Sequence, residues 1–342
     1  MTASAASSRP LRIGMLGAAN IGRQFAQGCK PSAVVEVDAV ASRTLDKARA
    51  YAAELGIPRA LGSYEALLAD TAIDAVYIPL PNSMHAEWAI KACAAGKHVL
   101  CEKPLAMDAA EARAMFAAAS KHKVVLREAY PYMAQAQTRT LRRWLAEGAV
   151  GRLRLIRSSF CVLFTDPANI RLIPELGGGA LYDAGSYAVS LVRIAAGRRP
   201  LRARATATLD AKGVDRTTIA ELDFGDGLLA QVACSFESAF HRHASIHGEA
   251  GAIETNYLNH PPVGGPAVLT IRRGVANTVA MAPEPVPEGN GFRLEAESFA
   301  ALLRDGEAAW TGATPAESVD IALTLDAIRR SARSLQWVAL EA

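Results

Sequence analysis

Three short stretches of the chain hold side chains able to move a proton or steady a charge. "CEKPLA", residues 101–106, sets Glu102, Lys103 and Pro104 directly after the apolar run "HVL". A lysine ammonium at a strand end can hydrogen-bond a reacting oxygen and stabilise negative charge that develops on it. "GGGALYDAGSYAVSLV" leads from three glycines into a helical pattern that carries Asp183 and Tyr187, four apart and so on one helical face. The carboxylate can orient the phenol, a proton donor or acceptor of ordinary pKa about 10. A lysine brought beside that phenol is expected to lower its pKa by favouring the phenolate. Taken alone, this segment reads first as a capped amphipathic helix that buries a tyrosine.

The third stretch, "RIGMLGAANIGRQFA", is a glycine turn between a strand and a helix. Gly17 supplies a tight bend and Gly22 a close packing of helix on strand, while Ala19 stands where a dinucleotide fingerprint has its middle glycine. Backbone N–H groups at the helix start, from Asn20 and Ile21, can receive a phosphate. An ordinary crossover with a glycine turn reads the same way. The next strand ends in Ser42 and Arg43, with Lys47 one turn on, and not in the acid that usually holds a ribose 2′-hydroxyl. The fork and permanent charge of a guanidinium suit a 2′-phosphate, so NADP is expected ahead of NAD. The other reading of Arg43 is a solvated loop residue. In "YIPLPNSMHAEW", Pro79, Asn82 and His85 lie where a strand gives way to a helix, at the sheet edge nearest a nucleotide; for His85 a plain helix surface is the alternative.

The elements that must position these groups follow two rhythms. Strand and helix patterns alternate over residues 11–129, which predicts crossover units and a doubly wound parallel sheet, a Rossmann domain. After about residue 150 the strands lengthen and alternate polar with apolar residues, with "DFGDGLLA" as a tight hairpin. That predicts an α+β domain over 130–342, built on a large, mostly antiparallel open sheet. Two helices, "ALYDAGSYAVSLVRIAAG" and "TPAESVDIALTLDAIRRSARS", accompany it, and 258–291 reads as loops around a strand or two. The first ten residues, "MTASAASSRP", read as a disordered tail. The chain is thus α/β, with two domains in 342 residues.

Composition narrows the function classes. A formal charge of +3 with scattered basic residues gives no nucleic-acid footprint, and no apolar run is long enough to span a membrane. Five cysteines without a C-x-x-C pair fit reduced thiols in a cytoplasm. No metal is expected. His241, His243 and His247 in "HRHASIH" alternate onto one face of a strand but lack a fourth ligand.

In this order, "GMLGAANIG", "CEKPLA" and "GGGALYDAGSY" resemble the Gfo/Idh/MocA oxidoreductases over residues 10–335, and the tyrosine resembles the branch of dimeric dihydrodiol dehydrogenase, D-xylose dehydrogenase and glucose–fructose oxidoreductase. The resemblance implies that Lys103 contacts substrate and nicotinamide ribose, Pro104 holds the turn and Glu102 fixes the loop. It makes Tyr187 the general acid or base, with Asp183 orienting the neighbourhood or binding a second hydroxyl. It also implies hydride transfer between a nicotinamide and a secondary alcohol or carbonyl of a sugar or cyclic polyol, and an open sheet used for homo-dimer or homo-tetramer contacts. A non-catalytic NADP-binding sensor, and an enzyme that keeps its NADP while cycling between two sugars, are the alternatives. One departure stands out: "EAYPYMAQAQ" has Met133, Gln135 and Ala136 where relatives in that branch have an arginine and a His–Pro pair. That segment borders the substrate pocket in the family, so the change is expected to alter which sugar fits.

Overall fold

The computed structural model describes residues 9–261, 263 and 265–340; the tail expected over residues 1–10 lies, up to residue 8, outside them. Arg9 is held to Asp74 by a two-pronged ion pair with bonds of 2.6 and 2.7 Å.

Strands β1 (Leu11–Leu16), β2 (Val35–Ala41), β3 (Arg59–Leu61), β4 (Ala75–Ile78), β5 (His98–Glu102) and β6 (Leu126–Ala129) pair in parallel in the order β3-β2-β1-β4-β5-β6. Helices α1 (Asn20–Cys29), α2 (Leu45–Leu55), α3 (Tyr64–Leu68), α4 (His85–Ala94) and α5 (Ala109–Lys121) are the crossovers. Strand order reverses between β1 and β4, and ligands of such sheets bind in the crevice beyond the strand ends there. β1, β4 and β5 are largely apolar because both faces of the sheet are covered, and β6 is buried throughout although it carries Arg127 and Glu128.

After α6 (Ala136–Ala146), β7 (Leu153–Cys161) enters a second sheet. α7 (Ser186–Ala196) follows, then β8 (Arg202–Leu209), β9 (Asp215–Asp223), β10 (Leu229–Ser235), β11 (His241–Gly248), β12 (Gly251–Thr255), β13 (Leu269–Arg273) and β14 (Ala282–Pro283). α8 (Gly291–Asp305), α9 (Pro315–Ser334) and the edge strand β15 (Val338–Ala339) close the chain. The sheet has nine strands in the order β14-β13-β12-β11-β7-β10-β9-β8-β15, antiparallel except where β7 and β10 run together. The expected hairpin is the β9–β10 pair. Its turn needs left-handed backbone at Gly225 and Gly227. Alternation sends Ala220, Leu222, Ala230, Val232, Ala244 and Ile246 inward, into a core shared with α7 and α9.

Two helices differ from the sequence reading. α6 is masked by its arginines, although Leu141 and Trp144 form a buried stripe. α8 follows the Pro/Gly-rich stretch, and its apolar face packs back on the first domain: Phe292 and Phe299 share a core with Ile13, Phe25 and Tyr77. Burying a phenylalanine contributes about 1.5–3 kcal/mol, so α8 adds substantially to the stability of the nucleotide half.

Candidate active site

A cleft of about 860 Å³ runs from the glycine turn, across the ends of β4 and β5, to the inner end of α7. A second groove of about 640 Å³ lies beside α6 and α7. Its Arg193 and Arg198 are spent on Asp320 and Asp226, and none of the chemistry-bearing groups reaches it.

At the cofactor end, Gly17 has φ +121°, and a Cβ there would stand 2.9 Å from the Leu80 side chain. At Gly22 a Cβ would meet the Met15 methyl at 2.5 Å and the Tyr51 hydroxyl at 2.7 Å, which is the close helix–strand approach expected. Ala19 caps α1 with backbone only, and among the described residues no side chain satisfies the N–H groups that follow at Asn20 and Ile21. That leaves donors for a phosphate. Ser42, buried, and the exposed Arg43 and Lys47 line the same end, with no ion-pair partner for either cation among the described residues. Of the two β2 acids, Glu36 and Asp38, the buried Asp38 pairs with Arg59, and neither stands at the strand end. Pro79 and Asn82 also line the cleft. The Asn82 amide, however, donates to the Gly177 carbonyl at 2.8 Å and so clasps β4 to the loop before α7.

His85 is a correction. Its ring is fully buried off the cleft, with Nδ1 2.8 Å from the Pro104 carbonyl and Nε2 2.8 Å from the Leu80 carbonyl. It braces the Lys103 loop from behind and has no nitrogen left for a nucleotide.

At the reacting end, β5 delivers Glu102 and Lys103. Glu102 is buried, accepts from the Tyr77 hydroxyl at 2.5 Å, and takes the Lys103 backbone N–H at 3.2 Å. Lys103 Nζ donates to Asp183 Oδ1 at 2.6 Å and to the Asp183 carbonyl at 3.1 Å, and lies 4.7 Å from the centre of the Tyr187 ring. Asp183 also accepts from Arg171 Nε at 2.8 Å. Burial would push the Asp183 carboxyl up, but Arg171 and Lys103 together outweigh it and hold it well below the ordinary carboxylate range.

Two expectations for this helix change. Leu181–Gly185 is a π turn leading into α7, a feature frequent at functional sites. The Asp183 carboxylate reaches Lys103 and Arg171, and no hydrogen bond joins it to Tyr187 among the described residues. Nor is the phenol acidified in balance. Burial raises its pKa, Glu102 adds to the rise, and Arg242 and the Asn259 amide only partly oppose it.

Arg171, Arg242 and Asn259 line this end and escaped the sequence reading. For Arg242 a signal exists: the alternation that turns His241, His243 and His247 to one face of β11 turns Arg242 inward. Among the described residues no three metal-ligating side chains converge. The segment of Met133 and Gln135 is a second correction. Both are buried outside the cleft lining, and Gln135 Nε2 donates to the carbonyls of Asn259 at 2.5 Å and Gly289 at 2.6 Å. This segment therefore supports the pocket from behind.

Glu128, on β6, accepts from the Leu105 N–H at 2.9 Å and anchors the far side of the Lys103 loop. Burial pushes its carboxyl from the ordinary 4.5 up to about 7. The folded chain then holds a proton that the unfolded chain releases, so stability falls as pH rises from 4.5 to about 7 and is level above. At about 1.4 kcal/mol per unit the loss is on the order of 3 kcal/mol. Glu128→Gln keeps an acceptor for Leu105 and is expected to remove this slope in denaturant melts between about pH 5 and pH 8. Parallel curves for variant and wild type would contradict it.

A doubly wound sheet with a phosphate-accepting glycine turn, and a lysine and phenol meeting at its crevice, define a dinucleotide-dependent oxidoreductase. The chain belongs to the Gfo/Idh/MocA family: residues 11–130 match its oxidoreductase family, NAD-binding Rossmann fold, and residues 138–254 its C-terminal domain. It is 37% identical to a D-xylose 1-dehydrogenase (NADP(+)) of Haloferax volcanii over 97% of this chain and 100% of that one. It is 33% identical to the trans-1,2-dihydrobenzene-1,2-diol dehydrogenase of Xenopus laevis, over 81% and 83% of the two chains. Its fold superposes with a TM-score of 0.83 on a 3-ketoreductase from Actinomadura kijaniata in complex with NADP and TDP-benzene, at 30% identity over 94% and 98% of the chains. Among the described residues no helix is long and apolar enough to cross a membrane.

Proposed function

We propose that the chain is an NADP-preferring dehydrogenase or reductase acting on CH–OH groups of a sugar or cyclic polyol. Residues 11–129 bind the dinucleotide, and 130–342 shape the substrate half and its contacts with further copies. The observation that carries this is the meeting of Lys103 with Asp183 and Tyr187 in the cleft that also holds the glycine turn and Arg43. The NADP(+)-dependent D-xylose 1-dehydrogenase and the NADP bound by the 3-ketoreductase support it.

Nicotinamide, when bound, supplies or accepts the hydride. The α1 N-terminus would take the pyrophosphate, and Ser42, Arg43 and Lys47 the 2′-phosphate. Lys103 steadies charge on the reacting oxygen, Tyr187 gives or takes its proton, and Asp183 aims the Lys103 ammonium. The test is a panel of sugars, inositols and cyclic diols with NADP⁺ and NAD⁺, followed by nicotinamide absorbance. Turnover with at least one polyol supports the reading, and binding of NADP with no turnover points to a sensor. Arg43→Ala is expected to raise the KM for NADPH about 10- to 100-fold, the worth of a charge-assisted hydrogen bond, and to leave NADH little changed. An equal response of both cofactors would remove Arg43 from the 2′-phosphate site.

The five cysteines are unpaired thiols, four of them buried, which supports a cytoplasmic enzyme. A homo-dimer or homo-tetramer would use the outer face of the nine-stranded sheet, where Ile219 and Leu229 are about half exposed. Sedimentation as a monomer would contradict that assembly.

A further inference from the structure

Tyr187 is buried where its neutral form is favoured, yet a proton donor must pass through the phenolate. Among the described residues its oxygen accepts one hydrogen bond, from Asn259 Nδ2 at 3.1 Å, and donates none. The other end of that amide, Asn259 Oδ1, accepts from Arg242 Nη1 at 3.3 Å. Because a guanidinium only donates, the oxygen of Asn259 must face Arg242, and its NH₂ must therefore face Tyr187. Arg242 itself lies face-on to the phenol, Cζ 4.2 Å from the ring centre, and is 6% exposed. No carboxylate pairs with it among the described residues, and its Nε and Nη2 are buried without hydrogen-bond partners. Burying a charge without a counter-ion is among the costlier arrangements a fold can hold.

The other charges around Tyr187 are Lys103, Arg171, Glu102 and Asp183, and the titratable phenols packed against its ring, Tyr130 and Tyr132, are both held neutral by burial. Lys103 and Arg171 are both engaged with Asp183, and the two carboxyl groups oppose a phenolate. Arg242 is the cation in this group with no carboxylate to neutralise it. We propose that Arg242 and Asn259 are positioning residues for Tyr187: the guanidinium on the ring face stabilises the phenolate, and the Asn259 N–H fills one lone pair so that the phenol hydrogen faces the cleft. This rests on the proton-transfer role given to Tyr187 above. As a carbonyl carbon takes the hydride, its oxygen takes the Tyr187 proton, and the phenolate left behind is held by these two groups; oxidation runs the same exchange in reverse. Gln135 belongs to the same assembly, since it pins the Asn259 backbone.

The test replaces Tyr187 by a trifluorotyrosine, whose lower pKa brings titration into reach, and follows fluorine NMR against pH in the full chain. Arg242→Met and Asn259→Ala are each expected to raise the midpoint by about one pH unit. Asn259→Asp, the same shape without the donor, is expected to raise it further. The pH profile of kcat, with tyrosine restored, should move in the same order. Circular dichroism checks folding, and Asn259→Asp keeps the test open if Arg242→Met fails to fold. An unmoved midpoint in Asn259→Asp, or in a folded Arg242→Met, overturns the inference. If the midpoints move but Tyr187→Phe keeps wild-type turnover, the tuning of the phenol stands and its proposed use in catalysis fails.

Discussion

Lys103→Ala lowers kcat about 10²- to 10³-fold, the cost of removing one donor from a developing oxyanion, while NADPH affinity and folding stay near wild type. The separation of effects follows from where each interaction sits. The ammonium is held at the inner end of the cleft by the carboxylate and carbonyl of Asp183. The groups assigned to the nucleotide phosphates lie at the far end, on α1 and after β2. Loss of Lys103 does not orphan Asp183, because Arg171 still pairs with it at 2.8 Å. Initial rates, NADPH titration by fluorescence and thermal melts separate the three quantities. A variant with wild-type kcat would remove Lys103 from the reaction, and one that fails to bind NADPH would make it a cofactor residue only.

Tyr187→Phe lowers kcat by about 10²- to 10⁴-fold in both directions, the usual worth of a positioned general acid or base. The ring keeps its edge contacts with Tyr130 and Phe160 and its face on Arg242, so packing is preserved. What disappears is the O–H and the acceptor for the Asn259 amide, a loss of about 1 kcal/mol in stability. Because a variant cannot shift the equilibrium of the reaction, kcat/KM for carbonyl reduction and for alcohol oxidation must fall by the same factor. Rates measured in both directions check this. A variant that keeps wild-type rates has the wrong residue assigned.

Much of the site was legible because it is written in local pattern. The glycine turn, the end of β2 and "CEKPLA" are each fixed by a strand end in a crossover series, and a strand end in a parallel sheet has one place to go. Lys103 and Asp183 stand eighty residues apart, and only the family resemblance joined them. What was missed depends on packing that periodicity does not carry. His85 sits on a helix start, and nothing local shows that two carbonyls will occupy both ring nitrogens. Asn259 lies in a loop among prolines and glycines, and its partner Gln135 comes from a segment whose departures first suggested a pocket wall. α8 follows the same loop-rich stretch, and its apolar stripe finds a core formed by residues nearly three hundred positions earlier. The acidity of Tyr187 was misjudged because the nearby ammonium is already engaged with a carboxylate, and burial then decides the direction.

A crystal structure with NADP⁺ and a polyol that turns over tests the account most directly. It should show the reacting substrate oxygen within about 2.6–3.2 Å of both Lys103 Nζ and the Tyr187 hydroxyl. An oxygen bonded to neither, or a substrate bound away from the end of β5, would contradict it.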